Sequence, residues 1–450
     1  MRKDILVRDR ALEAVQKLRR QIVEPGLCAR HRRRPQDFSR ECRLTFSVLV
    51  ILLLQKSLKS LQARLHEYMW QLLGCPEQGG LSVGAVTHAR AKLSAEVFVE
   101  LNHEAILPTV YGEQNQELVE RWRGHRVLAV DSSLIRLPKS QAVAKKYGWS
   151  QTTPEALVQE RYPQGRMSVL YDLLNELALD AKLAPWKEQE EQMGRWQLEK
   201  VQSGDVIITD RGYTSYKWLW TAVAKGAHVI SRCSGSSFGL ARTLLQKNRA
   251  GLSVTATLGI GKESKTAVLK QGWPLELRVR FVTVRLKTGE LEVLVTTLLD
   301  EKAYPTEELA QLYWRRWGQE TFFARLKSRM DLENCSGLTV DAVEQDFAAT
   351  VLLSNVESVV IGPASHELAE RTQGREQPTK VNRAVSIHAL KTRLIDLLAS
   401  DLPAEKVLDE LTNWFQHSPV SVRKRRQVPR LKRSTARSYH FQRHEKKIVF

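Results

Sequence analysis

Two short apolar runs, "RVLAVD" (126 to 131) and "DVIITD" (205 to 210), each stop on an aspartate, and this pattern constrains the fold more than any other. Each has the length and composition of a strand. After the first, "SSLIRLP" suggests a turn into a second strand. Residues 166 to 186 read as a hairpin turning near Asn175, and an acidic helix follows over 187 to 200. After Asp210, a helix over 214 to 225 leads to the strand "AHVISR" (227 to 232). Strand, hairpin, helix and strand in that order describe an α/β core built on a mixed sheet. An aspartate at the carboxyl end of a strand points out of the sheet edge, where a ligand or metal can reach it. The plainer reading of Asp131 or Asp210 alone is that each begins a turn, which aspartate favours.

The rest of the chain divides around this core. Residues 1 to about 120 are expected to be helical. "FSVLVILLL" (46 to 54) reads as a buried helix, and Val86, Leu93, Val97 and Leu101 recur at helical spacing within 82 to 102. Residues 233 to 303 alternate in "LELRVRFVTVRL" and "LEVLVTTLL", a β-rich unit inserted before the next helix. Helix is expected from Thr306, as N-cap, to about Met330, with Glu307 and Glu308 in its first turn. The expected domains are therefore 1–120, a helical N-terminal domain; 121–232, the first part of the core; 233–303, the insertion; 304–335, the closing helix; 336–420, a helical C-terminal region; and 421–450, a basic tail.

Charge narrows the partners. The 450 residues carry 69 Lys and Arg against 50 Asp and Glu, a net +19, which favours a polyanion, nucleic acid first. The stretch "VRKRRQVPRLKRSTARSYHFQRHEKK" holds eleven of those cations and one acid, and reads as a tail disordered until it meets nucleic acid. "ARHRRRP" (29 to 35) suits either an arm on phosphates or a plain charged loop. No apolar run approaches the roughly 20 residues that span a bilayer, so no membrane partner is expected. The five cysteines, at 28, 42, 75, 233 and 335, have no CxxC spacing and fit a reducing cytoplasm better than a disulfide framework or a zinc site. Cys28, His31 and Cys42 are the one weak metal alternative.

The helix from 306 adds a third carboxylate. At about 100° per residue, Tyr313, Arg316, Glu320 and Lys327 fall within about 60° of arc on one face. An exposed polar stripe with incidental pairs such as Arg316 with Glu320 is the bland alternative. Three carboxylates from two strands and a helix can instead hold two magnesium ions about 4 Å apart, hard cations that take oxygen ligands. Cations on the same face then grip a phosphate strand.

These residues resemble a known family. Tyr313, Arg316, Glu320 and Lys327 meet in full the Y-x2-R-x3-E-x6-K spacing, similar to the YREK signature of bacterial insertion-sequence transposases of the DDE class. "VDSSLIRLP" resembles the family's first-aspartate segment and "ITDRGYTS" its second, with Ser132 where glycine is common. The resemblance covers roughly residues 40 to 400. It implies an RNase H-like core interrupted by the insertion, with Asp131, Asp210 and Glu320 as catalytic residues and as ligands of two Mg2+ ions, for which Mn2+ can substitute. It implies DNA contacts by Tyr313, Arg316 and Lys327, with Arg211 and Trp273 as further candidates. Arg211 can equally pair with a carboxylate, and Trp273 can equally be core. Also implied are double-stranded DNA partners (transposon ends and target), a homodimer on DNA, a DNA-binding role for residues 1–120, and a bacterial, nucleoid-associated cytoplasmic location.

Other chemistries lack their residues. "HELAE" (366 to 370) has no second histidine for a zincin, "GIGKES" (259 to 264) is not a P-loop, and no GxSxG is present. A cut-and-paste transposase, a DNA-binding descendant that no longer cuts, and a structure-specific nuclease on the same fold remain. Three intact carboxylates argue against the second, since a binder gains by shedding negative charge near phosphates.

Overall fold

The computed structural model describes residues 2–40, 42–56, 61–73, 81–150, 161–259, 265–266, 269–270, 272–286 and 289–422. Cys75, most of "GIGKES" and the basic tail from 423 lie outside the described residues. The chain divides into two compact units, Met1–Val119 with Ile135–Gly165 and Ala324–Phe450, and Glu120–Leu134 with Arg166–Phe323.

The second unit is built on a sheet of eight strands: β1 (Val127–Arg136), β2 (Gln164–Asp172), β3 (Leu177–Pro185), β4 (Val206–Thr209), β5 (His228–Cys233), β6 (Ser253–Gly259), β7 (Glu276–Arg285) and β8 (Leu291–Thr296). Their order is β3-β2-β1-β4-β5-β8-β7-β6. β1, β4 and β5 run parallel, while β8, β7 and β6 add antiparallel to the β5 edge. The parallel neighbours β4 and β5 need a crossover, which the helix Tyr216–Ala224 supplies, capped by the Ser215 hydroxyl accepting from the Trp218 N–H. The central strands carry apolar residues on both faces because both faces are covered: Val127 to Val130 and Val206 to Ile208 have no exposed surface. The core gathers Val127, Val206, Ile208, Ile230, Val282, Leu294, Leu309 and Leu312. The alternating segments of 233 to 303 thus extend the same mixed sheet instead of forming a second one.

The hairpin turn lies at residues 173 to 176, where expected, and Asn175 holds it by donating to the Asp172 carboxylate at 2.9 Å. Three local expectations are corrected. β1 does not end at Asp131 or turn after it but runs on to Arg136. The helix expected from 306 to 330 is two helices, Thr306–Trp314 and Trp317–Ser328, and its N-cap is Pro305 in place of Thr306. Between them Arg315 and Arg316 donate to carbonyls three residues back, those of Leu312 and Tyr313 at 3.0 Å, tightening the chain out of the α-helical period.

The first unit is helical, with one small antiparallel pair of strands, Thr379–Val381 and Pro419–Ser421. Phe46–Leu54 is the buried helix expected, capped by Thr45. Residues 82 to 102 form Val83–Arg90 and Glu96–Leu101 instead of one helix, since Ser94 turns its hydroxyl onto the Glu96 N–H between them. Buried Arg90 joins Val83–Arg90 to Val340–Val360 through Gln345 (2.9 Å) and Asp346 (2.9 Å). Among the described residues no single helix is long and apolar enough to cross a membrane.

Candidate active site

The sheet itself brings the two aspartates together. The β1–β4 register pairs Val130 with Thr209, so Asp131 and Asp210 are the next residues on adjacent parallel strands, where the parallel ladder stops. Neighbouring strands lie about 4.8 Å apart. Each aspartate accepts from the N–H that follows it, Asp131 from Ser132 at 2.8 Å and Asp210 from Arg211 at 2.7 Å. Asp210 thereby caps the short 3-10 turn Arg211–Tyr213, so it does begin a turn as well as ending a strand.

Glu320 reaches this edge from the first turn of Trp317–Ser328. Its helix is pinned to β2 on both sides of it. Fully buried Gln319 donates to the Val169 carbonyl at 2.7 Å, and Phe322 stacks on Tyr171 with ring centroids 4.3 Å apart. The cation of the site is Arg316, in the turn between the two helices. It donates to Asp131 at 3.4 Å and to Glu320 at 3.2 Å while only 6% exposed. Burial opposes its charge, yet Tyr313, Asp210, Asp131 and Glu320 outweigh burial and hold the guanidinium above its ordinary value. Burial pushes the Asp131 carboxyl up to about 6, against the pull of the Ser132 N–H and Arg316.

The other candidates fall less evenly. Tyr313 is not an open side chain: its ring packs in the core with Leu309 and Leu312, 7% exposed, while it stays near enough to Arg316 and Asp210 to feel their charges. Its hydroxyl has no hydrogen-bond partner among the described residues, and burial raises its pKa. Lys327 lies on the Glu320 helix in the helical unit, half-buried, where burial lowers its amine from the ordinary value against the pull of Glu333. Arg211 is exposed beside Asp210. Trp273 is half-buried just before β7, with no hydrogen bond or ring contact among the described residues. Trp314 and Trp317, 56% and 40% exposed, stand with ring centroids 6.1 Å apart, and the Arg316 guanidinium lies 5.3 Å from the Trp317 ring.

Sequence reasoning missed four charged residues around this edge. Arg166 on β2 donates to Ser132 at 2.9 Å and pairs with Glu190. Arg232 on β5 pairs with Glu292 on β8 at 2.7 Å, and burial raises the Glu292 carboxyl, with Asp210 and Arg316 among the charges it feels. Alternation in β8 marks a face for Glu292, but only the β5–β8 register shows that Arg232 meets it diagonally.

Asp131, Asp210 and Glu320 supply the hard oxygen donors that Mg2+ takes. Among the described residues the one group of three ligand side chains with atoms within 4.8 Å of one another is Asp4, His366 and Glu370, in the helical unit. The candidate trio is more open, and the Arg316 guanidinium bridges two of its members as a cation would.

A family model described as the transposase DDE domain matches residues 122–356, from just before β1 to within the helix Val340–Val360. The chain belongs to the transposase DDE domain family. Its mixed sheet flanked by helices agrees with the α/β core expected from the sequence. The chain is similar to the transposase InsG for insertion sequence element IS4 of Escherichia coli K12, 22% identical over 359 residues that cover 77% of this chain and 75% of that one. It is also similar to the y4zB protein of Sinorhizobium fredii, whose name too carries the word transposase, 24% identical over 49% of this chain and 59% of that protein. A piggyBac transposase synaptic complex with hairpin DNA aligns over 98% of this chain and 89% of its own at TM-score 0.41 and 10% identity.

Proposed function

We propose that this protein is a transposase that binds the ends of its insertion sequence and catalyses metal-dependent DNA cleavage and strand transfer. The observation that carries the reading is that Asp131 and Asp210 each follow the last pair of the β1–β4 parallel ladder, with Glu320 tied to Asp131 through Arg316, inside the region that matches the DDE domain. Asp131, Asp210 and Glu320 are the catalytic residues and hold two Mg2+ ions, replaceable by Mn2+. When bound, the ions supply activation of the attacking water or 3′ hydroxyl and neutralise charge at the leaving oxygen. Arg316 grips a phosphate of the bound strand once it leaves its carboxylates, and Lys327 and exposed Arg211 add phosphate contacts. Tyr313 supports Arg316 from the core side. Trp273 contacts DNA from the loop before β7.

The partners are double-stranded transposon ends and target DNA, bound by a homodimer with residues 1–120 contributing to end binding. Joining two ends requires two active sites, which supports the dimer. The working location is the bacterial cytoplasm, at the nucleoid.

The test is a strand-transfer assay with labelled element ends, target DNA and Mg2+. Joined product supports the proposal. Cleavage without joining makes the protein a nuclease, and binding without cleavage makes it a silent DNA-binding descendant.

A further inference from the structure

Around one cavity of the helical unit, cations outnumber acids among the described residues. Helices Phe46–Leu54, Leu61–Leu73 and Arg383–Leu398, with the chain around Arg329, enclose a cavity of about 650 Å³. Its wall includes Gln55, Arg64, Glu67, Arg329, Asp331 and Lys391. That volume is typical of a small-ligand site.

Arg64 is 4% exposed, and its guanidinium donates to the Leu52 carbonyl. Its Nε has no hydrogen-bond partner, and among the described residues no carboxylate lies within ion-pair distance of it. Gln55, 8% exposed, donates to the Lys391 carbonyl at 3.2 Å, and its unpartnered Oε1 is an acceptor that only a protonated phosphate oxygen meets. Lys391 is 9% exposed and stands 3.7 Å from Asp331. Behind it, buried Lys56 donates to the Leu332 carbonyl at 3.2 Å and lies 3.9 Å from Asp346, whose closer partner is Arg90 at 2.9 Å. Among the described residues, four buried cations (Lys56, Arg64, Arg90, Lys391) therefore face three carboxylates, Glu67, Asp331 and Asp346, and exposed Arg329 adds a further positive charge at the wall. Orphaned donors and unpaired charge are costly in a protein interior, and a bound anion removes both costs. Burial brings the Lys391 amine down to about 8, with Lys56 and Arg64 adding to it against Asp331, and burial brings the Arg64 guanidinium down to about 10 against Asp346 and Glu67.

We propose that this cavity binds a phosphate group, delivered by a DNA backbone or by a small free phosphate, with Arg64 and Lys391 at its base and Arg329 at its mouth. The guanidinium fork suits phosphate oxygens, the Lys391 ammonium adds a compact charge, and the exposed Arg329 side chain can meet the anion as it enters. The site lies wholly within the helical unit and does not depend on strand transfer at the carboxylates.

The test titrates the full-length protein with inorganic phosphate, without divalent metal, by calorimetry and by 31P line broadening. Wild type is compared with Arg329→Gln, an exposed change that leaves the fold intact, and with Lys391→Met checked by its melting temperature. Saturable binding, weakened about tenfold by Arg329→Gln through loss of one charge-assisted contact, supports the site. Adding duplex DNA without element ends then separates the sources: displacement of phosphate assigns a backbone ligand, and its retention assigns a small free one. Absence of saturable binding, or equal affinity in wild type and Arg329→Gln, overturns the proposal.

Discussion

Arg316 donates to Asp131 at 3.4 Å, linking the break between two helices to a strand residue 185 positions earlier. The same guanidinium holds Glu320 at 3.2 Å, so one protein cation keeps two carboxylates from repelling each other. Replacing it by methionine leaves that repulsion uncompensated. Arg316→Met is expected to lose about 2 kcal/mol of stability in the absence of metal. Added Mg2+ then stabilises the variant more than the wild type, because the ion no longer displaces a resident cation. Urea midpoints with and without Mg2+ measure this, and an equal Mg2+ response in both proteins counts against it.

Glu320→Gln keeps the shape and the helix while removing one of the three charges proposed to hold metal. Cleavage of element ends is expected to disappear, while end binding in gel shifts stays within about twofold, since the glutamine Oε1 still accepts from Arg316. Gln319 and Phe322 still fix the helix to β2 in this variant. Lost end binding would show that Glu320 serves the structure and not the chemistry.

Asp131 gives the site a pH signature. Its carboxyl is pushed from 3.8 up to about 6 by burial, so between those values the folded protein binds the proton more tightly than the unfolded chain. Folding stability from this group therefore falls as pH rises through that window, and the penalty is complete above it. The proposed metal binding needs the ionised form, so it is expected to strengthen over the same rise. Asp131→Asn should flatten the stability slope between about pH 4 and pH 6 relative to wild type. Denaturant midpoints across that range test it, and parallel curves would place the titration elsewhere.

The placement of these residues was partly legible in the sequence. Asp210 was readable because "VIIT" is a short, wholly buried strand and the aspartate follows at once. Asp131 was readable as a position, but "SSLIR" hid the continuing strand, because its two serines look like a turn and Ile135 is the buried residue that keeps it in the sheet. The face shared by Tyr313, Arg316 and Glu320 assumed an unbroken helix. Only Gly318, whose N–H donates to the Arg315 carbonyl at 2.8 Å, hints at the break at Arg315 and Arg316, and the core around Leu309 and Leu312 takes Tyr313 inward. The ion pair of Arg232 with Glu292 joins strands more than fifty residues apart, information that resides in sheet register and in no local pattern.

Gly194 ties packing to the geometry of both aspartates. It sits inside the helix Glu190–Gln197, where alanine ordinarily gains up to about 1 kcal/mol over glycine. A Cβ here meets Tyr213 Cε1 at 2.8 Å, Trp218 Cζ3 at 3.0 Å and Val130 Cγ1 at 3.0 Å, all side chains with almost no exposed surface. Overpacking of that kind costs about 1–3 kcal/mol and outweighs the helical gain. Val130 precedes Asp131, and Tyr213 closes the turn that Asp210 caps, so any relaxation moves the strand ends that carry the two carboxylates. Gly194→Ala is expected to lower the urea midpoint by an amount equivalent to about 1–2 kcal/mol and to slow cleavage beyond what the lost folded fraction explains. A stabilised variant with full cleavage would show that the helix can lift from the sheet without moving Asp131 or Asp210.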